Sequence, residues 1–353
     1  MNTQARTDSV VTVSQDAAVA PTAPRGERVL HAEGLTVEFL SHHGPVRIVS
    51  DVSFDIDAGR TLSLVGESGC GKSVSVMAML GLLPRRQWRI AARAVSFEGL
   101  DLLDPAGRNL RAVRGRRIGM IFQEPMTSLN PTMTVGEQIA EVLRFHLRLD
   151  RRAARAGAVR LLDRVRIPRA AERVDDYPFA FSGGMRQRVM IALALACSPA
   201  LLIADEPTTA LDVTVQAEIF DLLRELQRET GTALLLITHD LGIVAEMADE
   251  VAVMYAGRIV ERSPAATLFV TPQHPYTIGL LGASPEWESR SHRLTPIDGR
   301  VPLPSDRLDG CRFAPRCPFR IERCAREIPP LVAVGDAQAV ACWRAPLEPE
   351  AVQ

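Results

Sequence analysis

The chain has 353 residues, 46% apolar and 24% charged, enough to bury a full core as one large domain with an extension or as two domains. Its 41 basic and 42 acidic residues leave a formal net charge of −1, so no whole-molecule field draws it to nucleic acid or to an anionic lipid surface. The longest apolar runs, VMIALALAC and ALLLIT, are too short to cross a bilayer.

In chain order, the N-terminus MNTQARTDSVVTVSQDAAVAPTAPRGER has no continuous apolar stretch of the kind a signal peptide carries. Polar, Ala/Pro-containing and aperiodic, it predicts a disordered lead-in over residues 1–27. A chain without leader or span is expected in the cytosol, where cysteines are reduced, metal-bound or inert more often than disulfide-bonded. Next, LTVEFL and VRIVSDVSFDI alternate with period two and predict an antiparallel β section. The continuous apolar runs TLSLVG (61–66), LLIADE (201–206) and ALLLIT (233–238) each predict a buried strand that ends in a functional loop. Residues 124–189 show helical patterning and no run resembling a buried strand, which predicts a helical insert. Its arginines between Arg144 and Arg173 lack interleaved aromatics and read as a solvated helix face. TVQAEIFDLLRELQRETG places Ile219, Leu222, Leu223 and Leu226 on one helix face, with Gly231 as the stop. Strand and helix patterns in alternation argue for an α/β fold around a largely parallel sheet. After about Arg262 prolines and turn residues multiply, so residues 28–265 read as the main domain and 266–353 as a separate, loop-rich C-terminal extension.

GESGCGKS, Gly66 to Ser73, fits G-x-x-x-x-G-K-[ST] between a strand and the helical VSVMAMLGLL, and it holds the only lysine in the chain. Its glycines let several N–H groups turn toward one phosphate, and the helix N-terminus adds partial positive charge. Gly66, Glu67, Ser68, Gly69, Cys70, Gly71, Lys72, Ser73 and Val74 are therefore the candidate ATP-phosphate set. Lys72 would reach the β- and γ-phosphates and the Ser73 hydroxyl would ligate Mg2+. Arginine serves everywhere else in the chain, but its rigid planar fork suits a loop closed around a phosphate less well than a slim ammonium. ALLIADEP is an apolar strand ending in paired carboxylates. Asp205 would bind Mg2+ directly or through water, and Glu206 would polarise the water that attacks the γ-phosphate.

Together with that loop, FSGGMRQR resembles the signature of the nucleotide-binding subunits of ABC transporters, over roughly residues 28 to 345. The resemblance implies an ABC-type P-loop NTPase domain: a RecA-like core, an antiparallel β section and a helical subdomain at about 124–189. It implies that Ser182, Gly183 and Gly184 form a second phosphate cradle facing the phosphate loop of a partner subunit. Phe181 and Met185 depart from the commoner leucine and glutamine. Gln123 in IFQEP resembles the Q-loop glutamine, linking Mg2+ and water to the helical insert. Asp212 in TALD resembles the D-loop aspartate of the dimer interface, and His239 the switch histidine that contacts the γ-phosphate and holds Glu206. Phe39 is the candidate for stacking on adenine, with an ordinary strand aromatic as the competing reading.

PQHPYTIGLL and FQEPMTSLNPTMTVGEQIAE narrow the resemblance to the ATP-binding subunits of dipeptide/oligopeptide importers and their nickel and glutathione relatives. That implies an ATPase energising peptide uptake, peripheral on the cytoplasmic side of the cytoplasmic membrane. Its partners would be a second ATP-binding subunit, two transmembrane permease subunits docking around residues 125–139, and indirectly an extracytoplasmic substrate-binding protein. Nickel, glutathione or an opine as cargo stays open. A soluble ABC ATPase of DNA repair or translation would carry a long coiled-coil insertion or two tandem cassettes. A non-catalytic binding module would have lost Glu206 or His239.

Cys70 and Cys197 read as structural or neutral. Cys311, Cys317, Cys324 and Cys342 are spaced C-x5-C-x6-C-x17-C, without the close pairs that zinc sites favour. Four thiolates on irregular loops suit a [4Fe–4S] cluster, as the importer resemblance also implies, with Zn2+ or free thiols as alternatives. Phe313, Phe319, Ile321, Leu331 and Trp343 are scattered, so the extension is expected to depend on such a centre rather than on burial for its order.

Overall fold

A computed structural model describes residues 26–124, 128–209, 211–284, 296–306, 309–335 and 337–347. Residues 1–25 of the expected lead-in and 125–127 of the expected docking segment lie outside these.

The period-two stretches form a long antiparallel hairpin, β1 (Arg28–Ser41) and β2 (Gly44–Asp57), turning at His42 and His43. Alternate residues such as Leu35, Val37, Val52 and Phe54 are buried, which fixes the register because a slip by one would turn them outward. β4 (Trp88–Ala91), β5 (Ala94–Phe97) and β6 (Leu100–Asp101) complete this sheet.

The second sheet is built on five parallel strands in the order β7 (Ile118–Ile121), β8 (Leu201–Asp205), β9 (Ala233–Ile237), β3 (Thr61–Val65) and β10 (Glu250–Tyr255). Every residue of β3, β8 and β9 is buried, as expected for strands covered on both faces. One face packs on the antiparallel sheet and on α1 (Lys72–Met79). The other carries α3 (Val135–Leu147), α4 (Arg151–Arg164), α6 (Gly183–Leu195) and α7 (Val213–Thr230), while α2 (Arg108–Val113) and α5 (Ala170–Arg173) are short connectors.

The longer of these helices start at polar caps. Thr134, Asp150, Ser182 and Asp212 each accept a hydrogen bond from the N–H three residues on, satisfying an otherwise orphaned donor. On α7 the buried stripe is Ile219, Leu222, Leu223 and Leu226 plus Phe220, and Gly231 ends it in the left-handed conformation at φ 65°. Several arginines of 144–173 form surface ion pairs, among them Arg164 with Glu229 and Arg166 with Glu225.

The extension departs from the expected picture of a separate unit. β11 (Arg258–Pro264) pairs with β10, and its other edge takes β13 (Gln338–Val340) and then β12 (Val332–Val334), so residues beyond 330 extend the main sheet. α8 (Ala265–Val270), α9 (Pro275–Gly282) and Phe313 share a core with Val65, Val251 and Val253. Phe313 is only 2% exposed, and its ring lies 5.2 Å from Tyr255 and 5.5 Å from Tyr276. Burial therefore orders this segment more than its composition suggests. Its own apolar residues are few, but the partners they pack on belong to the main domain.

Candidate functional site

Because β7, β8, β9 and β3 are parallel neighbours, their C-terminal ends open on one edge of the sheet, where α/β folds place their ligands. Gln123 follows β7, Asp205 and Glu206 end β8, His239 follows β9, and the phosphate loop follows β3. Topology alone thus collects residues more than a hundred positions apart.

Within the loop, Gly66 sits at φ 151° with its Cα against the Met254 carbonyl, and a Cβ there would stand 2.1 Å from that oxygen. Gly71, at φ 104°, leads directly into α1. Lys72 is buried, and its Nζ donates to the carbonyls of Gly66 at 2.7 Å and Glu67 at 3.2 Å, so the ammonium lies under the curl of the loop. Ser73 Oγ donates to Asp205 Oδ1 at 2.8 Å. Burial pushes the Asp205 carboxyl upward, the Ser73 hydrogen bond pulls it back, and neighbouring Glu206 adds to the rise. A hydroxyl and a buried carboxylate sharing one short contact are a donor set suited to a hard cation such as Mg2+.

Glu206 adopts φ 46°, a left-handed conformation that costs a non-glycine residue energy and that clusters at functional positions. Its N–H is fixed to the Ile237 carbonyl at 2.9 Å. Its Oε2 accepts from Gln123 Nε2 at 3.1 Å and from Thr209 Oγ1 at 3.2 Å, and His239 Nδ1 lies 3.8 Å away. The imidazole is 70% exposed, at the mouth of the site. Thr209 went unnoticed in the sequence. The available signal was its position three residues past Glu206 in EPTTALD.

Other expected residues stand elsewhere. Ser182 and Gly183 are exposed at the start of α6, and Gly184 packs so closely on Val215 that a Cβ would meet Cγ1 at 2.5 Å. Among the described residues no hydrogen bond joins Ser182, Gly183 or Gly184 to the phosphate loop of the same chain. Asp212 is exposed and caps α7. Phe39 is half-buried on β1, edge-on to Trp88 at 5.1 Å. Cys70 and Cys197 are buried, and burial raises both thiols, Cys197 to about 11, which suits inert side chains. Two further residues touching the loop, Tyr276 and Arg316, come from the extension. No pattern in the sequence ties either of them to residue 67.

Cys311, Cys317, Cys324 and Cys342, all free, line one pocket with His274, Phe313 and Trp343. The Cys311 N–H donates to the Cys324 carbonyl at 2.8 Å, and Cys342 follows β13. The free space among them is about 10 Å³. Among the described residues no group of three or more His, Cys, Asp or Glu is arranged to hold a metal ion.

A phosphate loop, a strand-end carboxylate pair, a glutamine, a histidine and a capped Ser-Gly-Gly turn, on a parallel sheet with an antiparallel flank, define an ABC-type P-loop ATPase. The ABC transporter family model matches residues 49–209, the "Oligopeptide/dipeptide transporter, C-terminal region" model matches 260–324, and an AAA domain model overlaps at 177–245. Dipeptide transport ATP-binding protein DppD of Bacillus subtilis is 48% identical over 317 residues, 90% of this chain and 95% of its own. The "Probable peptide ABC transporter ATP-binding protein y4tR" of Sinorhizobium fredii is 48% identical over 322 residues, 91% of this chain and 96% of its own. Among solved structures, a dimeric ATP-binding cassette in a post-hydrolysis state bound to ADP and Pi superposes with TM-score 0.60 at 25% identity, covering 67% of this chain and 98% of that one. The cbiO1 protein of Clostridium perfringens, part of an ABC transporter complex, gives 0.59 at 27%, covering 69% and 91%. The chain belongs to the ATP-binding subunits of the dipeptide/oligopeptide family of ABC transporters.

Proposed function

We propose that this chain hydrolyses ATP to drive import of dipeptides or oligopeptides, working on the cytoplasmic side of the membrane through permease partners. The carrying observation is the Glu206 carboxylate, held by Gln123 and Thr209 beside the Ser73–Asp205 contact. Two hydrogen bonds to one oxygen leave Glu206 a second oxygen for a water, which it would orient for in-line attack on the γ-phosphate. Lys72, held under the loop, would move its ammonium to the phosphates as they arrive. Mg2+, held by Ser73 and Asp205 with Gln123 alongside, would supply charge neutralisation when bound. His239, at the mouth, would meet the γ-phosphate and steady Glu206. Phe39 would stack on adenine from the antiparallel sheet.

Exposure of Ser182, Gly183 and Asp212 supports a dimer in which each signature turn completes the partner's phosphate site, with a related but different ATP-binding subunit as that partner. Among the described residues no helix is long and apolar enough to cross a membrane, so attachment would run through two permease subunits, and cargo would arrive from an extracytoplasmic binding protein. The names of the relatives favour peptides as cargo over nickel, glutathione or an opine. The test is ATPase activity of the assembled transporter with its binding protein. Stimulation by dipeptides or oligopeptides supports the reading, and stimulation by a nickel complex alone would overturn the choice of cargo.

For the four cysteines we propose a [4Fe–4S] cluster. The donor chemistry fits, since four free thiols line one pocket and none of them is committed to a disulfide. Zinc sites favour close C-x-x-C pairs, which the C-x5-C-x6-C-x17-C spacing lacks. The small free space means that the thiols must move apart to accept a cluster. Anaerobically purified protein should be brown and carry about four irons per chain. A colourless preparation with one zinc would contradict this.

A further inference from the structure

Glu67 lies inside the phosphate loop, at a position where the G-x-x-x-x-G-K-S pattern asks for no particular side chain. A bare carboxylate there would repel the triphosphate that the loop is built to bind. The structure resolves this conflict with a residue 249 positions away. Arg316 grips the Glu67 carboxylate as a fork, Nη1 donating to Oε2 at 2.8 Å and Nη2 to Oε1 at 3.1 Å. Its remaining donors are also used: Nε on the Asp298 carbonyl at 2.8 Å, Nη2 on the Ile297 carbonyl at 3.1 Å, and Nη1 on the Tyr255 hydroxyl at 3.4 Å. All five N–H groups of the guanidinium are therefore engaged, and the side chain is 4% exposed. The same loop residue is held a second time, because the Glu67 N–H donates to the Tyr276 hydroxyl at 2.9 Å. Both Tyr276 and Arg316 belong to the C-terminal segment, Arg316 in the turn Ala314–Arg316 immediately before Cys317.

We infer that Arg316 is a positioning residue for nucleotide binding: its fork neutralises Glu67 and fixes the wall of the phosphate loop, so that the extension sets the affinity for ATP. The inference rests on the phosphate loop binding ATP. The contact depends on both charge and shape. A bidentate pair between a buried arginine and a half-buried carboxylate orients both partners, and removing only the arginine leaves an uncompensated carboxylate against the incoming phosphates. Lysine would keep the charge but could not fill five donor directions. With all its donors taken by Glu67, Tyr255, Ile297 and Asp298, Arg316 acts through Glu67, so its loss should appear in KM rather than in the chemical step.

The test is steady-state ATPase kinetics of the assembled transporter carrying Arg316→Ala, Arg316→Lys, Glu67→Gln and the double variant Arg316→Ala/Glu67→Gln, with Lys72→Ala as a check on ATP binding. Arg316→Ala should raise KM for ATP on the order of tenfold, with kcat within about twofold of wild type, and Arg316→Lys should fall between. In the Arg316→Ala background, Glu67→Gln should lower KM, because the charge left unpaired is then gone. A merely structural role predicts no such reversal. Should Arg316→Ala fail to fold, Arg316→Lys with and without Glu67→Gln gives the same reading. An unchanged KM in the Arg316 variants, or no recovery in the double variant, overturns the inference. Loss of ATP binding in Lys72→Ala leaves the loop assignment standing in that case, whereas binding that survives in Lys72→Ala removes both.

Discussion

The strand-end residues and the C-terminal extension both converge on the phosphate loop, but they reach it by different physics. Gln123, Asp205, Glu206 and His239 arrive because four parallel strands end on one edge, so a backbone pattern places them. Tyr276 and Arg316 arrive through individual side-chain contacts across the sheet border, a hydroxyl on the Glu67 N–H and a fork on its carboxylate. The first kind of placement tolerates much sequence change as long as the sheet forms. The second depends on a few side chains, and it lets a peripheral segment act on the centre.

Substitutions can separate the two. The largest stability effect should come from Phe313→Ala, which removes a ring buried against Tyr255 and Tyr276 and should cost about 3–5 kcal/mol. Denaturant unfolding measures this. A loss below ~1 kcal/mol would show that the extension is not held by burial, and would return weight to a metal centre as its main support. Gly66→Ala should cost roughly 1–3 kcal/mol, because its Cβ would meet the Met254 carbonyl, and it should weaken ATP binding while the extension stays packed. Near-normal nucleotide affinity in that variant would mean that the loop wall can yield. Thr209→Val is the mildest. Loss of one hydrogen bond to Glu206 should lower kcat roughly two- to tenfold with KM little changed. A change confined to KM would place Thr209 outside the chemical step.

Legibility follows the same division. β3, β8 and β9 are continuous apolar runs ending in motif residues, so the strands, their parallel arrangement and the gathering of those residues on one edge could be read directly. The α7 stripe was legible for a similar reason, helical period plus a terminal glycine, and only Phe220 went unread. β12 and β13 could not be read, because three residues are too few to show a period and β11, on which β13 pairs, lies far earlier in the chain. Phe313 looked isolated because the rings it packs on, Tyr255 and Tyr276, are far from it in sequence. Arg316 is one of forty arginines in the chain, and composition gives no means of telling the one that grips the phosphate loop from those that pair at the surface.

The central claim is that Glu206, held by Gln123 and Thr209, drives ATP hydrolysis at an intact nucleotide site. Glu206→Gln in the assembled transporter tests it most directly, with ATP binding and turnover measured on the same preparation. The account predicts wild-type-like ATP affinity with turnover lowered roughly 10²–10⁴-fold, or about 3–5 kcal/mol of barrier. Turnover close to wild type, with ATP still bound, would contradict it.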